Sequence, residues 1–102
     1  MADTFRLLLA QLNPTVGAIA ANAAKARAVW EQARAARADM AALTEMFITG
    51  YQTQDLILKP AFIADAIAAI KALARDCADG PALGIGGPHL KEGRLYNAYY
   101  IL

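Results

Sequence analysis

Few side chains in this sequence could do chemistry. Glu45 directly follows the apolar run Met40-Ala41-Ala42-Leu43-Thr44, and the pair Gly50-Tyr51 comes within six residues of it. A carboxylate at the exit of a buried strand sits on a rigid element at the edge of a cleft, where it can serve as a general base. The plain alternative is a solvated loop acid, and position alone does not separate the two. Cys77 is the single thiol. It falls on the apolar stripe of a helix and reads as a small packed residue rather than a nucleophile. His89 stands alone after Pro88, with no Cys or His at metal spacing, so no metal site is predicted. Gly84-x-Gly86-Gly87 departs from GxGxxG and precedes no helix, so it forms no dinucleotide cradle. Tyr51 by itself would be a packing aromatic.

The elements that must position Glu45 follow from apolar spacing. Phe5 to Leu12 is a short apolar run, too short for a typical helix, and reads as a strand buried on both faces. Asn13-Pro14-Thr15-Val16-Gly17 breaks it. The spacing of Ala26, Val29, Trp30, Ala33 and Ala36 predicts a helix over 22–37, with Asn22 as its N-cap. Asp39 to Thr44 is the second strand, and Gln52-Thr53-Gln54-Asp55 is loop or a first helical turn. Pro60 opens a second helix whose stripe is Phe62, Ala66, Ile67, Ile70, Leu73, Ala74 and Cys77, ended by Gly80-Pro81. Ala82 to Gly87 is a third strand, with glycines where another backbone can come close. A polar turn, Lys91-Glu92-Gly93-Arg94, joins it to a fourth strand, Leu95 to Leu102, as an antiparallel hairpin.

The order is β-α-β-α-β-β, an α/β fold whose helical crossovers imply parallel pairing of the first strands and a mixed sheet. Two crossovers on one side leave the other sheet face bare, which predicts an exposed apolar face. The closely spaced Tyr96, Tyr99 and Tyr100 cannot all share one face.

The 102 residues make one domain or a piece of one. Ten Lys and Arg against nine Asp and Glu give no electrostatic reason to expect nucleic acid or an anionic membrane. No run approaches the roughly 18 apolar residues that span a bilayer. The start, Met-Ala-Asp-Thr-Phe-Arg, lacks the pattern of a secretory leader, and one cysteine forbids an internal disulfide. A cytoplasmic location is the expectation.

Several segments together carry a resemblance. Leu9-Ala10-Gln11-Leu12-Asn13-Pro14-Thr15-Val16-Gly17, followed by Asn22-Ala23-Ala24-Lys25, resembles the start of the glutaminase domain of glutamine-dependent NAD synthetases. That domain belongs to the nitrilase, or carbon–nitrogen hydrolase, superfamily. Glu45-Met46-Phe47-Ile48-Thr49-Gly50-Tyr51 is similar to the family's Glu-x-Phe-x-x-Gly-Tyr segment. Asp55 to Phe62 resembles a stretch of the NAD synthetase branch, and Leu95-Tyr96-Asn97-Ala98-Tyr99-Tyr100 resembles the strand before the family's catalytic lysine.

The resemblance implies the N-terminal half of a nitrilase-type α-β-β-α sandwich. It implies a Glu-Lys-Cys triad in which Glu45 is the general base, and a glutamine pocket lined by Tyr51. The implied reaction is glutamine amide hydrolysis through a cysteine thioester. The ammonia would serve ATP-dependent NAD synthesis from deamido-NAD in a separate synthetase domain using ATP and magnesium. A homo-oligomer is implied, and no cofactor in this segment. Lys25, Lys59, Lys71 and Lys91 do not match the lysine motif, and Cys77 does not match the nucleophile. Residues 1–102 therefore read as a partial glutaminase domain that stops before the catalytic lysine and cysteine, inactive alone. The family usually has proline before the glutamate, where this chain has Thr44. The alternatives are a piece of another amidase of the superfamily, acting on an ω-amide or carbamoyl substrate, and a non-catalytic binding or structural half-domain.

Overall fold

The computed structural model describes residues 4–102. Strand β1 (Leu7–Leu9) leads into helix α1 (Ile19–Ala35), strand β2 (Met40–Ala42), a short 3-10 helix (Gln54–Leu58), helix α2 (Pro60–Asp76), and strands β3 (Ala82–Lys91) and β4 (Arg94–Ile101). The sheet order is β1-β2-β3-β4. β1 and β3 each pair in parallel with β2, and β4 closes antiparallel on β3. The predicted order β-α-β-α-β-β and mixed sheet are those observed.

Both crossovers step the same way along the sheet. Right-handed connections then place both helices on one face. Leu83, Ile85 and Ala41 point to that face and are fully buried, packed with Ala26, Val29, Trp30, Ala33, Ala66, Ile70 and Leu73 from the two helices. The many alanines of α1 let it lie close to the sheet. Trp30 is its large anchor, and its indole N–H donates to the carbonyl of Pro81 at 2.8 Å, where α2 gives way to β3. Arg27 of α1 pairs with Asp76 of α2 across the outer surface.

Among the described residues nothing covers the opposite face, as expected. Leu7, Leu9, Tyr99 and Ile101 alternate with the covered residues and are exposed. The expectation for the first strand is corrected here. It is shorter than Phe5 to Leu12, lies at the sheet edge, and is not buried on both faces: Leu9 is 74% exposed while Leu8 packs on the core.

Other boundaries move as well. α1 starts at Ile19, so Asn22 is not an N-cap but a fully buried residue inside the helix. In α2 the buried stripe runs through Ile63 rather than Phe62, and Cys77 caps the helix from within the core. β3 runs four residues beyond Gly87 to Lys91. The turn at Glu92-Gly93 has φ of 51° and 76°, the left-handed pair that a two-residue hairpin requires.

Candidate active site

Chain path and packing fix where Glu45 sits. After β2 ends, the Leu43 N–H donates to the Gly84 carbonyl at 2.8 Å, and the Gly86 N–H donates to the Thr44 carbonyl at 3.2 Å. The chain then turns through residues 45–49, and the Ile48 N–H returns to the Gly86 carbonyl at 3.2 Å. Gly86 is therefore gripped from both sides by the segment carrying Glu45. A methyl group on Gly86 would lie 2.7 Å from the Thr44 carbonyl oxygen and would collide with the Met46 N–H. This is the close backbone approach predicted for the third strand.

The other wall of the site is the loop after β1. The Gly17 N–H donates to the Thr49 carbonyl at 2.9 Å. Gly50, at φ 82°, lies so close to Val16 that a methyl group there would come within 2.6 Å of the Val16 Cα. Asn22 joins the two loops. Its Oδ1 accepts from the Thr15 N–H at 2.9 Å, and its Nδ2 donates to the carbonyls of Thr15 at 2.8 Å and Ile48 at 3.2 Å. Lys25, one turn on, donates to the Asn13 carbonyl at 3.0 Å.

These contacts open a cleft of about 350 Å³ lined by Leu12, Asn13, Pro14, Thr44, Glu45 and Tyr51. Glu45 and Tyr51, named together from the sequence, thus share one cleft. Both are exposed, Tyr51 by 61%. Glu45 also borders a smaller cleft, about 240 Å³, shared with Asn97, Ala98 and Tyr99 of β4. There Asn97 Nδ2 donates to Glu45 Oε2 at 2.6 Å. Tyr99, two residues on, lies over Gly84 and donates its hydroxyl to the Leu43 carbonyl at 2.9 Å. Burial pushes the Tyr99 phenol above its ordinary range.

Asn22, Asn97 and Tyr99 were not named as site residues from the sequence. Asn97 could have been, because asparagine is depleted in strands and this one stands between aromatic residues. Asn22 carried a misleading signal, since its type also suits a helix cap.

The remaining candidates lie elsewhere. Cys77 is buried under the helices, and its burial pushes the thiol above the usual range, opposite to what a nucleophile needs. His89 stacks edge-on to Tyr100, and the Tyr100 hydroxyl donates to the Pro88 carbonyl at 2.7 Å. Among the described residues, no group of three or more His, Cys, Asp and Glu is placed to hold a metal ion. A larger apolar groove, about 600 Å³, runs between the 3-10 helix, α2 and the hairpin tip, and contains none of the predicted site residues.

Comparison with known proteins gives the family and the fold. The carbon-nitrogen hydrolase family matches residues 6–102. A glutamine-dependent NAD(+) synthetase of Rhodobacter capsulatus is 66% identical over 102 residues, taking in 100% of this chain and 18% of that protein. The crystal structure of a glutamine-dependent NAD(+) synthetase from Cytophaga hutchinsonii superposes with a TM-score of 0.90 at 28% identity, over 98% of this chain and 17% of that one. An amidase from Nesterenkonia sp. shares the fold, with a TM-score of 0.72 at 18% identity over 95% of this chain and 42% of that one. The chain spans less than a fifth of the length of these NAD synthetase relatives. Its fold is that of the N-terminal half of a nitrilase-type α-β-β-α sandwich. By its match over residues 6–102, the chain belongs to the carbon-nitrogen hydrolase family.

Proposed function

We propose that this chain provides the general-base part of a glutaminase site that feeds ammonia to NAD synthesis. The observation that carries the reading is Glu45, held at the exit of β2 on the wall of a cleft that it shares with Tyr51. The relatives' glutamine dependence gives the substrate class. In this reading Glu45 takes the proton from a cysteine thiol supplied by another segment, and the thiolate attacks the amide carbon of glutamine. The same carboxyl then returns the proton to the departing ammonia. Tyr51 lines the glutamine pocket. The ammonia passes to a synthetase domain that uses ATP and magnesium to amidate deamido-NAD.

None of the lysines of the 102 residues, nor Cys77, matches the family's triad lysine or nucleophile. On this reading residues 1–102 are a partial glutaminase domain, releasing no ammonia from glutamine by themselves and working as part of a cytoplasmic homo-oligomer. Glutamine is the small-molecule partner, and the remaining segments of the domain are the protein partner. The uncovered sheet face bearing Leu7, Leu9, Tyr99 and Ile101 supports the need for such a partner.

A chimera tests the reading. This chain replaces the matching segment of the Rhodobacter capsulatus protein, and NAD formation is measured with glutamine or with ammonium as nitrogen source. The expected result is synthesis from both, with Glu45→Gln removing the glutamine-driven part and sparing the ammonium-driven part. Glutamine-driven synthesis that survives Glu45→Gln would overturn the assignment.

A further inference from the structure

We propose that Asn97 is a positioning residue for Glu45, fixing the carboxylate's orientation through its side-chain amide. This rests on the glutaminase reading above and extends it to a residue of a different strand.

The contact is short and specific. Asn97 Nδ2 lies 2.6 Å from Glu45 Oε2, short for an N–H···O hydrogen bond. Asn97 is the carboxylate's hydrogen-bond partner among the described residues, and it binds one of the two oxygens. Glu45 stands exposed in a turn, where packing does not choose its rotamer. An unheld glutamate of this kind spreads over several rotamers, and fixing one costs side-chain entropy. A general base must lie within hydrogen-bond reach of the proton it removes. Something must therefore hold the side chain, and the amide does.

The donor is itself held. Asn97 sits in β4 opposite Pro88, and Tyr99, two residues along on the same side, pairs with Gly86. Tyr99 donates to the Leu43 carbonyl at 2.9 Å. β4 thus grips the end of β2 twice, once on the backbone before Glu45 and once on the carboxylate itself. The residue type fits the task. A lysine at this position would neutralise the base, and a serine would be too short to reach it. A primary amide donates without adding charge and leaves Oε1 unbonded to take a proton.

Two variants separate positioning from strand packing. Asn97→Asp keeps the shape of the side chain but sets a carboxylate oxygen against Glu45. Asn97→Ala removes the donor and shrinks the residue. In the chimera, with glutamine-driven rates normalised to ammonium-driven synthesis, positioning predicts a kcat loss of about 10-fold for Asn97→Ala. For Asn97→Asp it predicts about 100-fold or more, within the range general-base catalysis supplies. KM for glutamine stays within about twofold in both. A packing role predicts the reverse order, with Asn97→Ala the worse variant, and that result overturns the proposal.

A second measurement reads the contact without catalysis. In the nuclear magnetic resonance spectrum of the 102-residue chain, one Asn97 side-chain amide proton is expected downfield of the other, and Glu45→Ala returns it. An amide signal unmoved by Glu45→Ala overturns the proposal. A parent chimera that fails with glutamine but works with ammonium overturns the glutaminase reading, and with it any part of Asn97 in catalysis, even where the amide signal shows the contact intact.

Discussion

Asn22 grips Thr15 by both of its backbone polar groups, the N–H at 2.9 Å and the carbonyl at 2.8 Å. From inside a helix, one buried side chain thereby completes a ladder that the loop after β1 cannot make for itself. Its third bond, to the Ile48 carbonyl, ties the same point to the turn that bears Glu45. Asn22→Ala would take the buried partner from the Ile48 carbonyl and both part-buried bonds from the Thr15 backbone, at a cost of about 2–3 kcal/mol. Thermal unfolding should show a drop in Tm of roughly 10–20 °C for a domain this size. A Tm within a few degrees of the parent chain would refute this role.

Gly86 is the counterpart on the sheet side. The Thr44–Met46 backbone leaves no space for a side chain there. Gly86→Ala must push the turn away, so glutamine-driven synthesis in the chimera should fall by at least about 10-fold. Ammonium-driven synthesis is the control. Gly93→Ala is the matched comparison for glycine loss, because no atom lies within 4 Å of a methyl group placed there. It is expected to spare the glutamine reaction and to lower stability through its φ of 76°.

The alkaline limb of stability follows from buried protons. Burial raises the Cys77 thiol above its ordinary 9.0, with Arg27 opposing and Asp76 and Glu31 adding. Burial raises the Tyr100 phenol above its ordinary 10.0. Each group holds its proton more tightly folded than unfolded. Its contribution is complete below the unfolded value and is lost as pH rises through the folded one. Urea unfolding should therefore show stability falling above about pH 9. Cys77→Ala should flatten the first part of that fall and Tyr100→Phe the later part. Slopes unchanged by both substitutions would exclude these groups as its source.

On the proposed glutaminase reading the 102-residue chain alone releases no ammonia from glutamine, because that reading assigns the thioester chemistry to a lysine and a cysteine other than Lys25, Lys59, Lys71, Lys91 and Cys77. Coupled assay of ammonia is the measurement. Turnover abolished by Glu45→Ala would show that the chain is a complete catalyst.

By itself the sequence determined the order of elements, the parallel pairing, the hairpin and the place of Glu45. These follow from local signals: apolar spacing, Pro60 at the helix start, and the Glu92-Gly93 turn. That Glu45 and Tyr51 line one cleft came from the resemblance of residues 45–51, since Tyr51 by itself reads as a packing aromatic. The sequence misjudged β1, because an apolar run records no information about which strand ends at the sheet edge. It misjudged Asn22 as well, because the same side-chain oxygen can cap a helix or hold a distant loop. Only the tertiary structure decided between those uses, by burying Asn22 against Thr15 and Ile48. Only the tertiary structure brought Asn97 to Glu45 across 52 positions of sequence. Contacts of that kind depend on sheet order and register, which no local pattern encodes.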